Sequence, residues 1–139
     1  MKLCSACLLG IKCRYDGNSK QNEKIIAFSK KETLIPICPE QLGGLSTPRV
    51  PCEQNQKSGK VMTKDGKDLT KNFIVGAEEC LKIAKLFNIK EAILKQNSPS
   101  CGCGKIYDGS FSGKLIKGDG VTTTLLKKNN IKVISEEDL

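Results

Sequence analysis

Residues 70–102 read TKNFIVGAEECLKIAKLFNIKEAILKQNSPSCG, and the succession of patterns inside them decides the fold. Phe73, Ala77, Cys80, Leu81, Ala84 and Phe87 recur at helical spacing, so one apolar face runs along a helix. Thr70 is a fair N-cap for that helix, and Asn88 ends it. KEAIL, residues 90–94, follows as a strand. The chain then enters NSPSCGCG, residues 97–104, a glycine-rich turn with two cysteines one residue apart. A helix, a short strand and a turn in that succession belong to a parallel βαβ unit.

The flanking sequence extends the alternation. Residues 2–6 form a short apolar strand that runs into Cys7, followed by a loop through Gly10 and Gly17. IIAF, set among polar residues within 20–31, predicts a helix, and residues 33–37 a strand broken at Cys38-Pro39. QLGGLSTPRVPCE, residues 41–53, reads as a Gly/Pro loop that continues neither element. Residues 55–69 are polar and read as a surface loop or hairpin. Downstream, KIYDGSFSGKLIKGDG reads as a glycine-rich loop or small hairpin, VTTTLLKKNN as a helix with Asn130 as a left-handed cap, and IKVIS as the last strand. The expectation is one α/β domain over residues 1–139, a mostly parallel sheet covered by helices. Ligands of such sheets bind beyond the carboxyl ends of the strands. Cys7, Cys38 and Cys101 follow three predicted strands, so they should converge on one rim.

Composition narrows the chemistry. The net charge is +8, with lysines spread along the whole chain. That favours a solvated surface over a nucleic-acid site. Four Phe, two Tyr and no Trp give poor support to a stacking platform for single strands. No apolar run reaches the roughly 18 residues of a membrane span, and the N-terminus lacks the pattern of a secretory signal. The expected compartment is the cytoplasm. Eight cysteines there point to metal binding or catalysis more than to structural disulfides. The absence of histidine removes the commonest metal ligand and the commonest general base.

Residue by residue, the cysteines divide. Cys4 lies inside the first strand and Cys80 on the apolar helix face, so both read as core. Cys13, Cys52 and Cys103 sit in loops beside rim cysteines, as extra ligands, resolving thiols or bystanders. A zinc site from Cys4, Cys7, Cys101 and Cys103 lacks the paired spacing of zinc knuckles. Spacing alone leaves a zinc site, an iron–sulfur centre and scattered thiols all open. Three rim thiolates without a fourth partner suit an iron–sulfur cluster with one open iron. Gly102 and Gly104 would then let backbone amides approach it.

SACLLG, RYDG, CPEQLGGLSTPR, LKQNSPSCG and GVTTTLLKKNNIKVISEEDL occur in that order between residues 4 and 139. Together they resemble the small thiouracil desulfurase family. The resemblance implies a Rossmann-like three-layer domain holding a [4Fe-4S] cluster by Cys7, Cys38 and Cys101, with Glu40 and Ser98 acting beside the open iron. It implies hydrolytic desulfuration of a thiolated pyrimidine, 2-thiouracil being the prototype, to the oxo base and sulfide. Cys4, Cys13, Cys52, Cys80 and Cys103 are not ligands in that reading. Glu40 follows Cys38 by two residues and is the natural proton acceptor in a chain without histidine. Read without the resemblance, Ser98 is a turn former before Pro99. Arg14, Arg49 and Tyr15 are candidates for substrate contact, the arginines by orienting a carbonyl and the tyrosine by stacking. Asp16-Gly17 reads as a plain turn, and Gly43 and Gly44 as space for the chain beside the cluster. The expected partner is a small thiolated base, with no membrane and a monomer or dimer. The competing readings are a non-catalytic thiolate metal or redox-sensing module, and desulfuration of thiolated bases in RNA.

Overall fold

The computed structural model describes all 139 residues. Four strands form a parallel sheet: β1 (Lys2–Ser5), β2 (Leu34–Ile37), β5 (Glu91–Leu94) and β8 (Lys132–Ser135), in the order β2-β1-β5-β8. Alternate residues of each strand project to opposite faces. Leu3, Ile37, Ala92, Leu94 and Val133 pack on one face against Cys80 and Ala84 of α3 (Thr70–Leu86) and Leu126 of α4 (Val121–Lys128). Cys4 and Ile93 pack on the other face against Ile25 of α1 (Glu23–Ser29) and the 3-10 turn Ala6–Leu9. The result is the Rossmann-like three-layer arrangement, and Cys4 and Cys80 are core thiols of its two halves. No helix is long and apolar enough to cross a membrane.

Chain order along the sheet fixes where a ligand can sit. From β1 the chain crosses to β2 on one side, and from β5 it crosses to β8 on the other. The carboxyl ends of β1 and β5 therefore flank a topological switch point, where departing loops diverge and leave a crevice. Two antiparallel hairpins lie outside the sheet, β3 (Cys52–Gln54) with β4 (Val61–Thr63), and β6 (Cys103–Tyr107) with β7 (Leu115–Asp119).

Three local expectations are corrected. The Gly/Pro stretch after Cys38 opens with a helical turn, α2 (Pro39–Leu42), because proline at the first helical position has its φ preset and lacks only an N–H that would go unpaired. Thr70 is the first residue inside α3 and not its cap. Its backbone N–H and hydroxyl both donate to Asp68 Oδ1, at 2.9 and 2.6 Å. Phe87 leaves the apolar face and is 51% exposed, because the helix ends at Leu86 and Asn88 turns left-handed at φ 53°. Ile89 takes the buried place instead. Asn130 adopts the expected left-handed conformation after α4, at φ 62°.

Candidate functional site

A cavity of about 520 Å³ opens over the carboxyl ends of β1, β2 and β5, and Cys7, Cys38 and Cys101 all line it. Cys7 comes from the 3-10 turn that follows β1, which stops at Gly10 in a left-handed conformation. Cys38 is the residue between β2 and α2. Cys101 comes from the loop after β5 and is buried. The predicted rim therefore forms.

The loop carrying Cys101 is held mostly by neutral groups, with charge only at its start, where the Gln96 N–H donates to Glu136 Oε1 at 2.6 Å and Lys95 Nζ donates to the Gln96 carbonyl at 2.9 Å. Ser98 Oγ accepts from the backbone N–H of Ser100 and of Cys101, both at 3.0 Å. This is the turn-forming role, and it leaves the hydroxyl proton free. The Gln96 carboxamide brackets Cys103, accepting from its N–H at 2.8 Å and donating to its carbonyl at 2.7 Å. From below, the start of α4 closes on the same loop. Thr123 Oγ1 donates to the Cys101 carbonyl at 2.9 Å, Ser100 and Thr122 share a buried hydroxyl pair at 2.7 Å, and the Thr122 N–H donates to the Ser100 carbonyl at 2.9 Å. Helix N–H groups that lack intrahelical partners are thereby satisfied. The glycines serve this packing and not a cluster. A Cβ on Gly102 would meet the carbonyls of Lys105 and Ser98 at 2.6 and 2.7 Å, while Gly104 is an exposed left-handed residue bonded to Asp119.

The segment around Cys38 is held by charge. Arg49 donates through Nε to Glu40 Oε2 at 2.7 Å, with Nη2 also 2.7 Å from that oxygen. Its remaining N–H groups go to the carbonyls of Cys13 and Ser46 and to Thr47 Oγ1. Four of the five guanidinium donors are hydrogen-bonded and Nη2 also lies in ion-pair contact with Glu40, so Arg49 is a clamp for Glu40 and not a free hand for substrate. The other Glu40 oxygen, Oε1, has no protein partner among these bonds. Gly43, expected beside the cluster, faces away. It meets Gly76 of α3, and a Cβ on either would collide with the backbone of Asn72 or Pro39. That close approach presses α2, and Glu40 with it, against α3.

Other predicted residues fall into place around these. Arg14 and Tyr15 line the cavity, with the guanidinium stacked 5.5 Å from the tyrosine ring centre. Only one nitrogen of Arg14 is paired, to Asp16 at 3.5 Å. Asp16 and Gly17 form a turn, with Asp16 Oδ1 accepting from Asn18 N–H at 3.0 Å. Cys13 is closer to the chemistry than expected. It lines the cavity, and its carbonyl accepts from the Cys38 thiol at 3.7 Å. Cys38 lowers its pKa, but Cys7 and burial outweigh that and push it up to about 11. Cys52 also lines the cavity, and burial pushes its thiol up to about 11. Cys103 points elsewhere, its Sγ donating to the Val133 carbonyl at 3.4 Å. Sequence reasoning missed Asn97, Tyr107 and Phe111, which complete the wall. Asn97 Oδ1 is buried without any hydrogen-bond partner.

The donor set favours a soft, multi-atom cationic centre. Burial raises Cys101 far above the ordinary thiol range, and contact with Cys13 followed by burial does the same to Cys38. Such thiols ionise only when positive charge arrives among them, as on metal binding. No three thiol or carboxyl groups come together closely enough to grip a single ion. Cys4, Cys7, Cys101 and Cys103 therefore form no zinc site. Thiols spread around one cavity suit a wider body such as an iron–sulfur cluster.

Comparison with known proteins gives three findings. A family model described as 2-thiouracil desulfurase matches residues 3–138. The chain is 46% identical, over 100% of its own length and 97% of the relative's, to YbbK of Bacillus subtilis strain 168, a protein described as uncharacterized. Among solved structures it resembles the [4Fe-4S]-dependent thiouracil desulfidase TudS with a TM-score of 0.92 and 43% identity, covering 99% of this chain and 91% of that one.

Proposed function

We propose that this chain, which belongs to the 2-thiouracil desulfurase family, is an iron–sulfur-dependent desulfidase that converts thiolated pyrimidines such as 2-thiouracil to the oxo base and sulfide. The observation that carries the reading is the meeting of Cys7, Cys38, Cys101 and Glu40 in one cavity at the switch point of the sheet. Cys7, Cys38 and Cys101 would hold a [4Fe-4S] cluster. When bound, it supplies a soft Lewis acid that polarises the thiocarbonyl C–S bond.

The chain's own groups do the rest. Glu40, fixed through Oε2 by Arg49, uses Oε1 to take a proton from the attacking water. Water adds its oxygen to the ring carbon, the C–S bond breaks, and sulfur leaves as sulfide with no net electron transfer. Ser98 keeps its own proton available for the base while its oxygen holds Cys101 in place. Tyr15 offers a stacking face at the mouth, and Arg14 has donors to spare for a carbonyl of the base. Eight free thiols suit a reducing compartment, and we assign the protein to the cytoplasm.

Anaerobic reconstitution with iron and sulfide, followed by a spectrum and a sulfide-release assay with 2-thiouracil, tests the reading. A brown protein that releases sulfide is expected. A colourless, iron-free protein would rule out the cluster. A brown protein inert to thiouracil would rule out the substrate. Serine at Cys7, Cys38 or Cys101 should each abolish the visible spectrum, whereas serine at Cys103 should leave it intact.

A further inference from the structure

We propose that Phe111 is a specificity-determining residue of this cavity, a fixed aromatic face on which a planar heterocyclic base stacks, and that Glu53 is the positioning residue that holds it there. The proposal rests on the thiolated-base reading above and names the feature of the base that is read, its flatness. Phe111 sits in the connection between β6 and β7, a DGSFSGK tip otherwise made of small and polar residues. Such a tip would ordinarily stand free in solvent. Here it folds back so that the half-buried Phe111 lines the cavity with Tyr107 and Tyr15. Of four Phe and two Tyr in the chain, three line this one cavity.

The backbone shows that the placement is imposed. Phe111 has φ 57°, in the left-handed region that a bulky side chain adopts only where its surroundings require it. The requirement comes from β3. Glu53 Oε1 accepts from the N–H of Gly109 at 3.0 Å and of Phe111 at 3.1 Å. These are charge-assisted bonds that fix the tip at two points. Gly109 lies so close to the Gln54 carbonyl that a Cβ there would be 2.5 Å away. Gln54 in turn donates to the carbonyls of Pro99 and Asp119, at 3.1 and 3.2 Å. The aromatic tip, β3 and the loop carrying Ser98 and Cys101 are thus tied into one unit, and Phe111 belongs to neither apolar core. An aromatic face held rigid in the cavity that the thiols line attracts a flat ring and gives less contact to a puckered one.

The test compares 2-thiouracil with its ring-saturated, puckered dihydro analogue on the reconstituted protein. Phe111→Ala is expected to raise KM for 2-thiouracil about tenfold while kcat stays within about twofold. The wild-type preference for the flat substrate should collapse with it, and Phe111→Tyr should retain both. Glu53→Ala should reproduce the Phe111→Ala pattern. Glu53→Gln, which keeps an oxygen acceptor, should restore it. Phe87→Ala, on the exposed end of α3, serves as the unaffected control. Calorimetric titration of uracil into the same iron-loaded proteins reads base affinity without turnover. An unchanged KM, an unchanged flat-over-puckered preference and an unchanged uracil affinity in Phe111→Ala would overturn the proposal. Failure of the wild type to release sulfide from 2-thiouracil strikes the functional reading instead, and the uracil titration then decides alone. Uracil binding that weakens in Phe111→Ala supports the aromatic face, and uracil that binds both proteins equally or neither sinks it.

Discussion

Two loops bring cysteines to the same cavity by opposite means. The segment from Cys38 to Arg49 is gathered chiefly by one cation, whose guanidinium reaches Glu40, Cys13, Ser46 and Thr47, beside single neutral bonds from Asn72 and Gln41. The segment from Gln96 to Cys103 hangs on many bonds, most of them neutral, from a carboxamide, four hydroxyl side chains and the first N–H groups of α4, with Glu136 and Lys95 adding charge only at Gln96. A charged clamp concentrates its strength and orients a carboxylate, but it fails as a unit. A neutral mesh sets the position of one sulfur redundantly, so no single bond should be decisive. The division matches the tasks proposed for the two loops, one aiming a base and the other fixing a ligand.

Removing the clamp should have the largest effect. Arg49→Ala leaves the Glu40 carboxylate partly buried without its partner, at a cost of about 3 kcal/mol. It also frees Glu40 to move, and a shift of about 1 Å suffices for a hundredfold loss in kcat. Thermal unfolding and sulfide release measure the two losses separately. Arg49→Lys should recover part of the stability and little of the rate, since the three donors of an ammonium cannot serve Glu40, Thr47 and the carbonyls of Cys13 and Ser46 together. A Lys variant as fast as wild type would show that the planar clamp is dispensable.

Loosening the mesh should do less. Thr123→Val removes the bond to the Cys101 carbonyl inside the core, a loss of about 1–2 kcal/mol. Iron content per chain after reconstitution should stay near that of the wild type, because Gln96 and the backbone bonds from α4 remain. Were Thr123→Val to lose its iron while Arg49→Ala kept full activity, the contrast between the loops would be backwards.

Ser98 stands between the two cases, since its oxygen serves the mesh and its proton is free for chemistry. Ser98→Ala should lower kcat more than it lowers iron content or thermal stability. Equal losses in all three would reduce Ser98 to the turn former that its place before Pro99 suggests.

These contrasts also mark what the sequence could reveal. Strand-end cysteines are legible because alternation fixes the parallel sheet, and the parallel sheet fixes the rim. That logic placed Cys7, Cys38 and Cys101 together and placed Cys4 and Cys80 in the core. The supports were illegible for a physical reason. Arg49 gives two of its bonds to carbonyl oxygens, which every residue has, so no spacing along the chain marks those partners. Thr122 and Thr123 read as ordinary helix residues because their hydroxyls reach a loop about twenty positions away. Gly102 and Gly43 were assigned to the cluster, but their missing side chains make room for protein backbone. Phe111 lay hidden in a polar turn, and only the fold brings Glu53 to its N–H.

The smallest effect concerns pH, and it tests whether the two moorings are as insensitive to base as their chemistry implies. An arginine and a set of neutral hydrogen bonds do not titrate between neutrality and about pH 11. Alkaline weakening then comes from groups outside the clamps, the lysines paired with carboxylates and the buried thiols. Burial pushes both Cys4 and Cys80 up to about 12 from an ordinary value of 9.0. Between those values the unfolded chain loses protons that the folded chain retains, so stability falls as pH rises through that window and is intact below it. Each thiol contributes a slope of about 1.4 kcal/mol per pH unit there. Cys80→Ala, compared with wild type by urea unfolding from neutral pH to about pH 11, should be less stable throughout yet lose stability more gently above pH 9. Parallel curves would mean that Cys80 does not titrate in this window, and that the alkaline limit lies with the other buried thiols or the paired lysines.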